Sequence, residues 1–438
     1  MIDLKDLRDN PTKYIDGAAK KNIAVDFAAL LALDEKHRAA QAEFDRLKAE
    51  QNQLSKQIGQ AKDPAARESI KQQAAAMKPR LKELEDAVRD VKVQLDQLLW
   101  SIPQPPDDDV PAGKDAADNV VVRHWGEPRT FDFKPLSHIE IGKKQGLMDF
   151  EAGAKIAGSR SYFLKGGGAE LHWAVIRLAL DMMVREKGFT LLSVPVMVRE
   201  AAMRGTGFFP AGREQAYRVG ETSEEGEEVR FLTGTAEVAL TAYAAPENDA
   251  VTLTEADLPL KLTAASTCFR REAGTYGKDT AGLYRVHQFD KVEQVVICRN
   301  DVEESKKWHA EMLGYSEELL KRLNLPHRVI QCCTGDIGVK NASMLDVETW
   351  MPSRFDGKNS ASGYGETHSA SRLYEFQARR LNLRYKDKEG KTRFCHTLNN
   401  TVVASPRILI PIIENYQNAD GSVTVPEALR SYLGRERL

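Results

Sequence analysis

The sequence TCFRREAG at residues 267–274, followed by YRVHQFDKVE at residues 284–293, decides the fold of the longer part of this chain. Two strand-like pieces flank a glycine-rich turn, and arginines stand at both rims. Arginine offers fixed, always-charged donors to phosphate or carboxylate oxygens, while Phe289, Glu272 and Glu293 suit a base, an exocyclic amine or an ammonium. The pattern predicts a polyanion site with an aromatic platform. The alternative is a surface hairpin with charge pairs across its strands.

The segments around this stretch predict an α+β domain built on an antiparallel sheet. Residues 169–187 are apolar at helical spacing, and strand-like runs cover residues 190–196, 261–269, 284–296 and 328–332. These runs show no regular alternation of strand and helix, which disfavours a doubly wound parallel sheet. The sequence contains neither G-x-x-x-x-G-K-[ST] nor a G-x-G-x-x-G that opens a helix, so we expect a nucleotide to be held without those phosphate loops.

Two further segments suggest function only weakly. Residues 398–410 form a strand-like piece, a proline and then an apolar helix that opens with Arg407. An arginine in the first turn opposes the helix dipole, which hints at a role beyond folding. Residues 188–195 predict a helix end followed by a strand that closes on Pro195, and packing alone would explain this segment.

The first hundred residues carry two heptad series, which predict a long antiparallel helical hairpin. Apolar positions step by three and four in both: Leu30, Leu33, His37, Ala40, Phe44, Leu47, Gln51, Leu54, Ile58, and then Ile70, Ala74, Met77, Leu81, Leu84, Val88, Val91, Leu95, Leu98. Gly59 and Pro64 are expected to end the first helix between them. Each leg of roughly 35 residues would reach about 50 Å. Pro79 is expected to kink the second leg.

The charge of this hairpin is uneven. Between Arg46 and Lys82 there are nine basic residues and three acidic ones. One interpretation is a solvated helical surface, and the other is an arm that contacts phosphates. The Pro- and Asp-rich residues 101–119 then predict a linker, which gives a hairpin domain of residues 1–110 and a second domain of residues 111–438.

Composition bounds the remaining possibilities. The 62 Lys and Arg nearly cancel the 64 Asp and Glu, so any nucleic-acid footprint must be local. No apolar run approaches the roughly 18 residues that a membrane span needs. The first residues resemble neither a signal nor a transit peptide, and the five cysteines form no C-x-x-C pair. We therefore expect a cytoplasmic protein with reduced thiols and no membrane association.

Taken in order, the three segments resemble the motifs of class II aminoacyl-tRNA synthetases. The first motif ends in Pro195, the second is Phe269-Arg270 with its hairpin, and the third ends in Arg407. The similarity sharpens to the bacterial-type seryl-tRNA synthetases through TGTAE at 233–237, FRREAG at 269–274, VHQF at 286–289, KVE at 291–293 and ETHS at 366–369. It is extended by GTG at 205–207, QARR at 377–380, TLNNT at 397–401 and VPEAL at 425–429. The resemblance covers essentially the whole chain, including the hairpin.

The resemblance implies a serine–tRNA ligase that uses ATP and Mg²⁺ and a set of site residues for each substrate. Arg270, Glu293 and Arg407 would be catalytic. Serine would be held by Thr235, Ala236, Glu237, Arg270, Glu293, Asn399 and Thr401. ATP would be held by Arg270, Arg271, Glu272, Arg285, Val286, Phe289, Glu366, Thr367, His368, Ser369 and Arg407. Within that set, Phe289 and Arg407 would sandwich the adenine, and Glu366 with Ser369 would bind magnesium.

The same resemblance implies partners and leaves some alternatives open. The hairpin would bind serine tRNA, and the protein would be a homodimer built around the first motif. Whether a selenocysteine tRNA is a second substrate stays open. Arg271 stands where serine is common in the motif, which adds positive charge at the edge of the adenylate. The alternatives are a carrier-protein aminoacyl ligase, which would lack the arm, and a non-catalytic coiled-coil adaptor, which Arg270, Glu293 and Arg407 argue against.

Overall fold

The structure, a computed structural model, describes residues 1–220, 229–248, 250–275, 277 and 279–438. The chain divides into two compact units. The smaller unit comprises residues 2–19 and 23–102, and the larger unit comprises Met1, residues 20–22 and residues 103–438. None of the described helices combines the length and the apolar character needed to cross a bilayer.

The N-terminal part of the chain is helical. Its helices are α1 (Leu4–Asp9), α2 (Pro11–Lys20), α3 (Phe27–Gln60) and α4 (Pro64–Leu99). Helices α3 and α4 pack along each other as an antiparallel pair, which confirms the predicted hairpin. Members of the predicted seam are buried between them, among them Leu30, Leu81, Leu84 and Leu95. Helix α4 is continuous through Pro79.

The turn between the two long helices differs from the prediction in one detail. Gly59 does not end α3, which continues to Gln60. Pro64 instead begins α4, where its missing N–H removes no helical hydrogen bond. The Asp63 side chain accepts hydrogen bonds from the backbone N–H groups of Ala65 and Ala66, so it caps the helix that follows.

The larger unit is α+β, as predicted. Its strands are β1 (Val120–Trp125), β2 (Met148–Asp149), β3 (Phe163–Leu164), β4 (Thr190–Leu191), β5 (Met197–Arg199), β6 (Tyr217–Val219), β7 (Arg230–Leu232), β8 (Leu253–Thr254), β9 (Leu260–Phe269), β10 (Gln288–Cys298), β11 (His327–Gln331), β12 (Ser343–Trp350), β13 (Tyr364–Tyr374), β14 (Arg384–Lys386), β15 (Thr392–Phe394) and β16 (His396–Ser405). Its helices are α5 (His138–Lys144), α6 (Phe150–Ala157), α7 (Gly167–Asp181), α8 (Glu200–Gly205), α9 (Glu237–Tyr243), α10 (Val302–Arg322), α11 (Phe376–Leu381), α12 (Leu409–Asn415) and α13 (Glu427–Leu433).

An eight-stranded sheet organises this unit, in the order β1-β11-β12-β13-β16-β10-β9-β4. All its pairings are antiparallel except that of β4 with β9. The main core cluster joins apolar residues of α7, α10 and α12 to the central strands, with Val296, Met312 and Ile412 almost fully buried. Because this core holds β9, β10, β16, β13 and β12 side by side, polar side chains on these strands can share one site.

Two of the predicted strands differ from the observed ones by four or more residues at one end. The strand predicted for residues 190–196 ends at Leu191, and the residues around Pro195 form none. Proline has no N–H to donate to a ladder, and β5, which follows, belongs to another sheet. The strand predicted to begin at Tyr284 begins at Gln288, where its pairing with Phe269 of β9 starts. The helix predicted for residues 169–187 is α7 followed by a π-helical turn, Met182–Glu186.

Candidate active site

A cavity of about 280 Å³ is lined by residues of the central strands β10, β13 and β16. It brings together residues that are far apart in sequence, from Thr235 beside α9 to Arg407 after β16. Thirteen of the seventeen predicted site residues line it: Thr235, Glu237, Arg270, Glu272, Arg285, Val286, Phe289, Glu366, Thr367, Ser369, Asn399, Thr401 and Arg407. A mostly preformed cavity with convergent polar groups is the usual form of a small-molecule site.

Four predicted residues do not line this cavity. Glu293 lies directly beneath its surface, where its Oε1 accepts from Asn399 Nδ2 at 3.2 Å and its carboxylate pairs with Lys291. His368 is buried in the sheet, and burial lowers its pKa to about 3. Ala236 belongs to an apolar cluster, and Arg271 is exposed on the rim. Side chains alternate along strands, so a run of neighbouring residues cannot all face one site.

One end of the cavity is rich in arginine and aromatic rings. The guanidinium carbon of Arg270 lies 5.2 Å from the centroid of Phe289, and that of Arg407 lies 4.5 Å from the centroid of Tyr284. Arg285 donates to Glu272 at 2.8 Å. The predicted ATP-binding residues of this paragraph thus lie together. Arg407 lies just before α12, whose N-cap is Ile408.

Arg407 is held in place by main-chain oxygens. Its Nε donates to the carbonyl of Tyr284 at 3.0 Å, and its Nη1 donates to the carbonyl of Glu366 at 3.1 Å. The Glu366 carboxylate lies 3.5 Å from the same guanidinium. These contacts fix the plane of the guanidinium, which leaves it suited to stack on a flat ligand.

The strands β12 and β13 carry a small acidic cluster at the cavity. Glu366, Ser369 and the buried Asp346 lie near one another, and Asp346 Oδ1 has no hydrogen-bond partner among the described residues. Burial, and then the nearby Glu366 carboxylate, raise the pKa of Asp346 well above its ordinary value. Hard oxygen ligands with excess negative charge fit a divalent cation such as Mg²⁺, which usually takes only one or two carboxylates from the protein.

The other end of the cavity contains paired charges. Lys291 Nζ donates to Thr235 Oγ1 at 2.7 Å and pairs with Glu293. Lys340 pairs with Glu237, whose Oε1 also accepts from Gln377 Nε2 at 2.7 Å. Carboxylates, hydroxyls and the Asn399 amide can together receive an ammonium group and a small hydroxyl.

Several cavity residues had no role in the sequence interpretation. Lys291 lies two positions before Glu293 on one strand, so period-two spacing could have identified it. Tyr284 adjoins Arg285 at the start of the segment 284–293. Lys340 and Phe208 belong to distant segments that carry no periodic signal, and only the fold brings them to this end of the cavity. Gln377 lies in the QARR motif and outside the cavity lining, and nothing in the sequence indicated that it contacts Glu237.

The chain matches two family models and many known proteins. Residues 1–106 match the seryl-tRNA synthetase N-terminal domain, and residues 217–416 match the tRNA synthetase class II core domain (G, H, P, S and T). The serine–tRNA ligase of Deinococcus radiodurans is 45% identical over 434 residues, covering 99% of this chain and 98% of the relative. That of Pseudothermotoga lettingae is 41% identical over 442 residues, covering all of both chains.

Solved structures agree with these matches. Seryl-tRNA synthetase from Pyrococcus horikoshii, solved with ATP, is 36% identical with a TM-score of 0.87, covering 100% of this chain and 99% of that one. Cytoplasmic serine–tRNA ligase from Naegleria fowleri, solved with AMP, is 30% identical with a TM-score of 0.84, covering 98% and 95%. With the geometry of the cavity, these likenesses show that the chain belongs to the seryl-tRNA synthetase family, within the class II aminoacyl-tRNA synthetases.

Proposed function

We propose that this cavity is where the chain, acting as a serine–tRNA ligase, activates L-serine with ATP before serine passes to the 3′ end of serine tRNA. The observation that carries the proposal is the cavity itself. It joins an arginine-rich aromatic end, suited to a nucleotide, to an oxygen-rich end, suited to a small amino acid, within one space.

The nucleotide is assigned to the arginine-rich end. Arg270 binds the α-phosphate and the serine carboxylate, because it lines the cavity and the one described hydrogen bond of its Nη2 goes to the Gly234 carbonyl, at 3.3 Å. Arg285 binds the γ-phosphate, and Glu272 meets the adenine amino group. Phe289 and Arg407 hold the two faces of the adenine, so Arg270 would leave the Phe289 ring when ATP enters.

Magnesium is assigned to Glu366 and Ser369, with Asp346 buried behind them. When bound there, it would neutralise phosphate charge. This chain's own contribution is a pair of oxygen ligands at the surface of the cavity, since the Glu366 side chain is 47% exposed.

Serine is assigned to the paired-charge end. Thr235 and Glu237 receive the ammonium, while Thr401 and Glu293 pair with the hydroxyl. Glu293 reaches the hydroxyl from beneath the surface of the cavity, and Asn399 orients it. A pocket that pairs a substrate hydroxyl rejects an analogue without one, because its own polar groups would be left unpaired.

The reaction that follows needs no protein nucleophile. The serine carboxylate attacks the α-phosphorus in line, pyrophosphate leaves, and seryl-adenylate forms. Arg270 and Arg285 stabilise the charge that develops on the phosphate oxygens. The terminal adenosine of tRNA then attacks the seryl carbonyl, which displaces AMP and gives seryl-tRNA.

The hairpin of α3 and α4 is assigned to tRNA binding. Its basic residues between Arg46 and Lys82 are exposed, and Lys56, Lys62, Arg67 and Lys82 form no ion pair with any described residue. Unpaired, exposed cations suit a phosphate backbone, and structured RNA is read largely through its shape and backbone.

We also propose a homodimer built around the first motif, in the cytoplasm. Trp173 on α7, the helix that leads into this motif, is 62% exposed, and the edge strand β1 exposes Val120 and Val122. A subunit interface would bury these apolar side chains, which supports the proposal. All five cysteines are free, which suits a reducing compartment. Sedimentation that finds a fully active monomer would contradict the dimer.

The proposed function is tested by mixing the protein with radiolabelled serine, ATP and Mg²⁺ and then adding tRNA. We expect enzyme-bound seryl-adenylate first and seryl-tRNA after addition of tRNA. A carrier-protein ligase would form the adenylate without charging tRNA, and an adaptor would form neither.

A further inference from the structure

Lys340 enters the amino-acid end of the cavity from the segment between β11 and β12. Its side chain is 14% exposed, and its ammonium lies 3.9 Å from the centroid of the Phe208 ring. The same ammonium donates to Glu237 Oε1. The chemistry proposed above gives Lys340 no task, although it touches the carboxylate assigned to the serine ammonium.

Glu237 is held through one oxygen only. Gln377 Nε2 donates to the same Oε1 at 2.7 Å, and Gln377 is itself fixed, because its Nε2 also donates to the Thr206 carbonyl at 2.9 Å and its Oε1 accepts from Thr397 Oγ1 at 2.8 Å. Among the described residues, none donates to Glu237 Oε2. Two donors on one oxygen therefore orient the carboxylate and leave the second oxygen for a ligand.

The other two charged side chains at this end of the cavity, Lys291 and Glu293, form an ion pair with each other. Lys291, on β10, also donates to Thr235. Glu237 is 2% exposed, and a buried carboxylate stays ionised only beside a cation or several donors. In the part of the chain that the structure describes, Lys340 forms the ion pair with Glu237, so its removal would leave a buried carboxylate without its cation.

We propose that Lys340 is a positioning residue for amino-acid recognition: it keeps Glu237 ionised and anchored by Oε1, so that Oε2 can accept the ammonium of the substrate. This inference rests on the proposed function, in which Glu237 receives that ammonium. Lys340 touches neither the reacting carboxylate nor the phosphate, so it sets the affinity for the amino acid and not the rate of the chemical step.

The test compares the full chain with Lys340→Met and Lys340→Arg by serine-dependent ATP–pyrophosphate exchange. We expect Lys340→Met to raise the KM for serine about tenfold, the scale of one charge-assisted hydrogen bond. We expect kcat and the KM for ATP to change by less than about twofold, because these depend on the arginine-rich end. Lys340→Arg should restore most of the affinity, because it keeps the cation.

The pH dependence separates this role from a structural one. Apart from Glu237, the charged groups that act on the Lys340 ammonium are Lys291 and Glu293, and these two are paired with each other. We expect the KM for serine of Lys340→Met to fall as the pH rises from 6 to 8.5, because a buried carboxyl that has lost its cation favours the neutral form, which binds an ammonium poorly. The double variant Glu237→Gln/Lys340→Met should show no such slope. Should Lys340→Met fail to fold, Lys340→Gln takes its place, since it keeps a donor without the charge.

Each remaining outcome overturns the proposal or its basis. A KM for serine that falls in Lys340→Met would mean that Lys340 competes with the substrate ammonium. A rise that does not depend on pH and is not rescued by arginine would mean that Lys340 only supports the loop. Exchange that does not depend on serine in the parent protein would overturn the proposed function, and the Lys340 proposal with it.

Discussion

The hairpin and the cavity use charge in opposite ways. Between Arg46 and Lys82 in the hairpin the charged side chains are exposed, and Arg80 pairs with Glu43, the two side chains being 52% and 40% exposed. In the cavity the pairs Lys291–Glu293 and Lys340–Glu237 are nearly buried and joined to further donors. Exposed pairs contribute little to stability, whereas a buried pair that loses one partner is costly. The charged side chains of the hairpin are therefore available to a binding partner, whereas those of the cavity are already held in place by ion pairs within the protein.

The largest effect is expected from Arg270→Ala in the cavity. The Arg270 side chain is exposed to the cavity, so its removal should leave the fold intact while the α-phosphate and the serine carboxylate lose the group that positions them. We expect pyrophosphate exchange to fall by about 10³-fold, the scale of one preorganised electrostatic interaction in a transition state. Arg299→Ala, which removes an arginine paired with Glu255 and Glu304 outside the cavity, is the matched control and should leave exchange unchanged.

The next largest effect is expected from a deletion in the hairpin, which should affect tRNA charging and leave the reaction in the cavity unchanged. Deleting residues 40–88, with a short turn that rejoins α3 and α4, should leave serine-dependent exchange nearly intact, because every cavity residue lies beyond position 200. Charging of tRNA should fall by at least about 10²-fold, since most of the cations that face RNA phosphates would be absent. A deletion variant that charged tRNA at the parent rate would make the hairpin an accessory, and the assignment of residues 1–110 to tRNA binding would be wrong.

A smaller effect should come from the basic residues alone. Replacing Arg46, Lys56, Arg67 and Lys71 with alanine should weaken tRNA binding by about tenfold at moderate salt. It should also flatten the dependence of log Kd on log salt, by about 0.7 to 0.9 for each phosphate that the protein no longer neutralises. The rate of serine-dependent ATP–pyrophosphate exchange should not change. An unaltered salt slope would place the RNA-binding surface elsewhere.

The smallest expected effect is on the free energy of unfolding, and it compares a buried ion pair with an exposed one. Glu317, 7% exposed, accepts from Arg123 Nε at 3.1 Å. Burial would raise the pKa of Glu317, but His327 and Arg123 outweigh it and hold the pKa at about 2. The lowered pKa means that this stabilisation is present above the ordinary carboxyl pKa and is lost as the pH falls toward 2.

Glu317→Ala should therefore lower the free energy of unfolding by about 2 kcal/mol at neutral pH, and by less in acid. Glu43→Ala in the hairpin should leave the melting temperature unchanged, because Arg80 keeps Glu83. Both variants are followed by thermal melts across pH, and equal shifts for the two would remove the distinction between buried and exposed pairs.

The sequence predicted the elements that depend on local spacing. The heptads of α3 and α4 and the hairpin of β9 and β10 follow from periods that adjacent residues carry. The roles of Arg270, Phe289 and Arg407 came from the resemblance, and the fold brings the three to one cavity.

The remaining features depend on long-range packing. Lys340 and Glu237 are 103 positions apart and Gln377 and Glu237 are 140 apart, so no local pattern joins them. The position of Glu293 beneath the surface follows from the pairing of β10 with β16, whose register shifts between Val292 and Glu293. His368 was grouped with its neighbours by motif, whereas the register of β13 buries it in the sheet.

The central claim, that the cavity selects serine through its hydroxyl, is tested most directly by pyrophosphate exchange with serine and with alanine under the same conditions. We expect strong exchange with serine and a kcat/KM for alanine that is on the order of 10⁴-fold lower, because Thr401 and Glu293 would lose the hydroxyl as a hydrogen-bond partner. Thr401→Val should reduce the ratio of kcat/KM for serine to kcat/KM for alanine, because it should impair the activation of serine alone. Comparable kcat/KM values for the two amino acids, or exchange that does not depend on serine, would contradict the account.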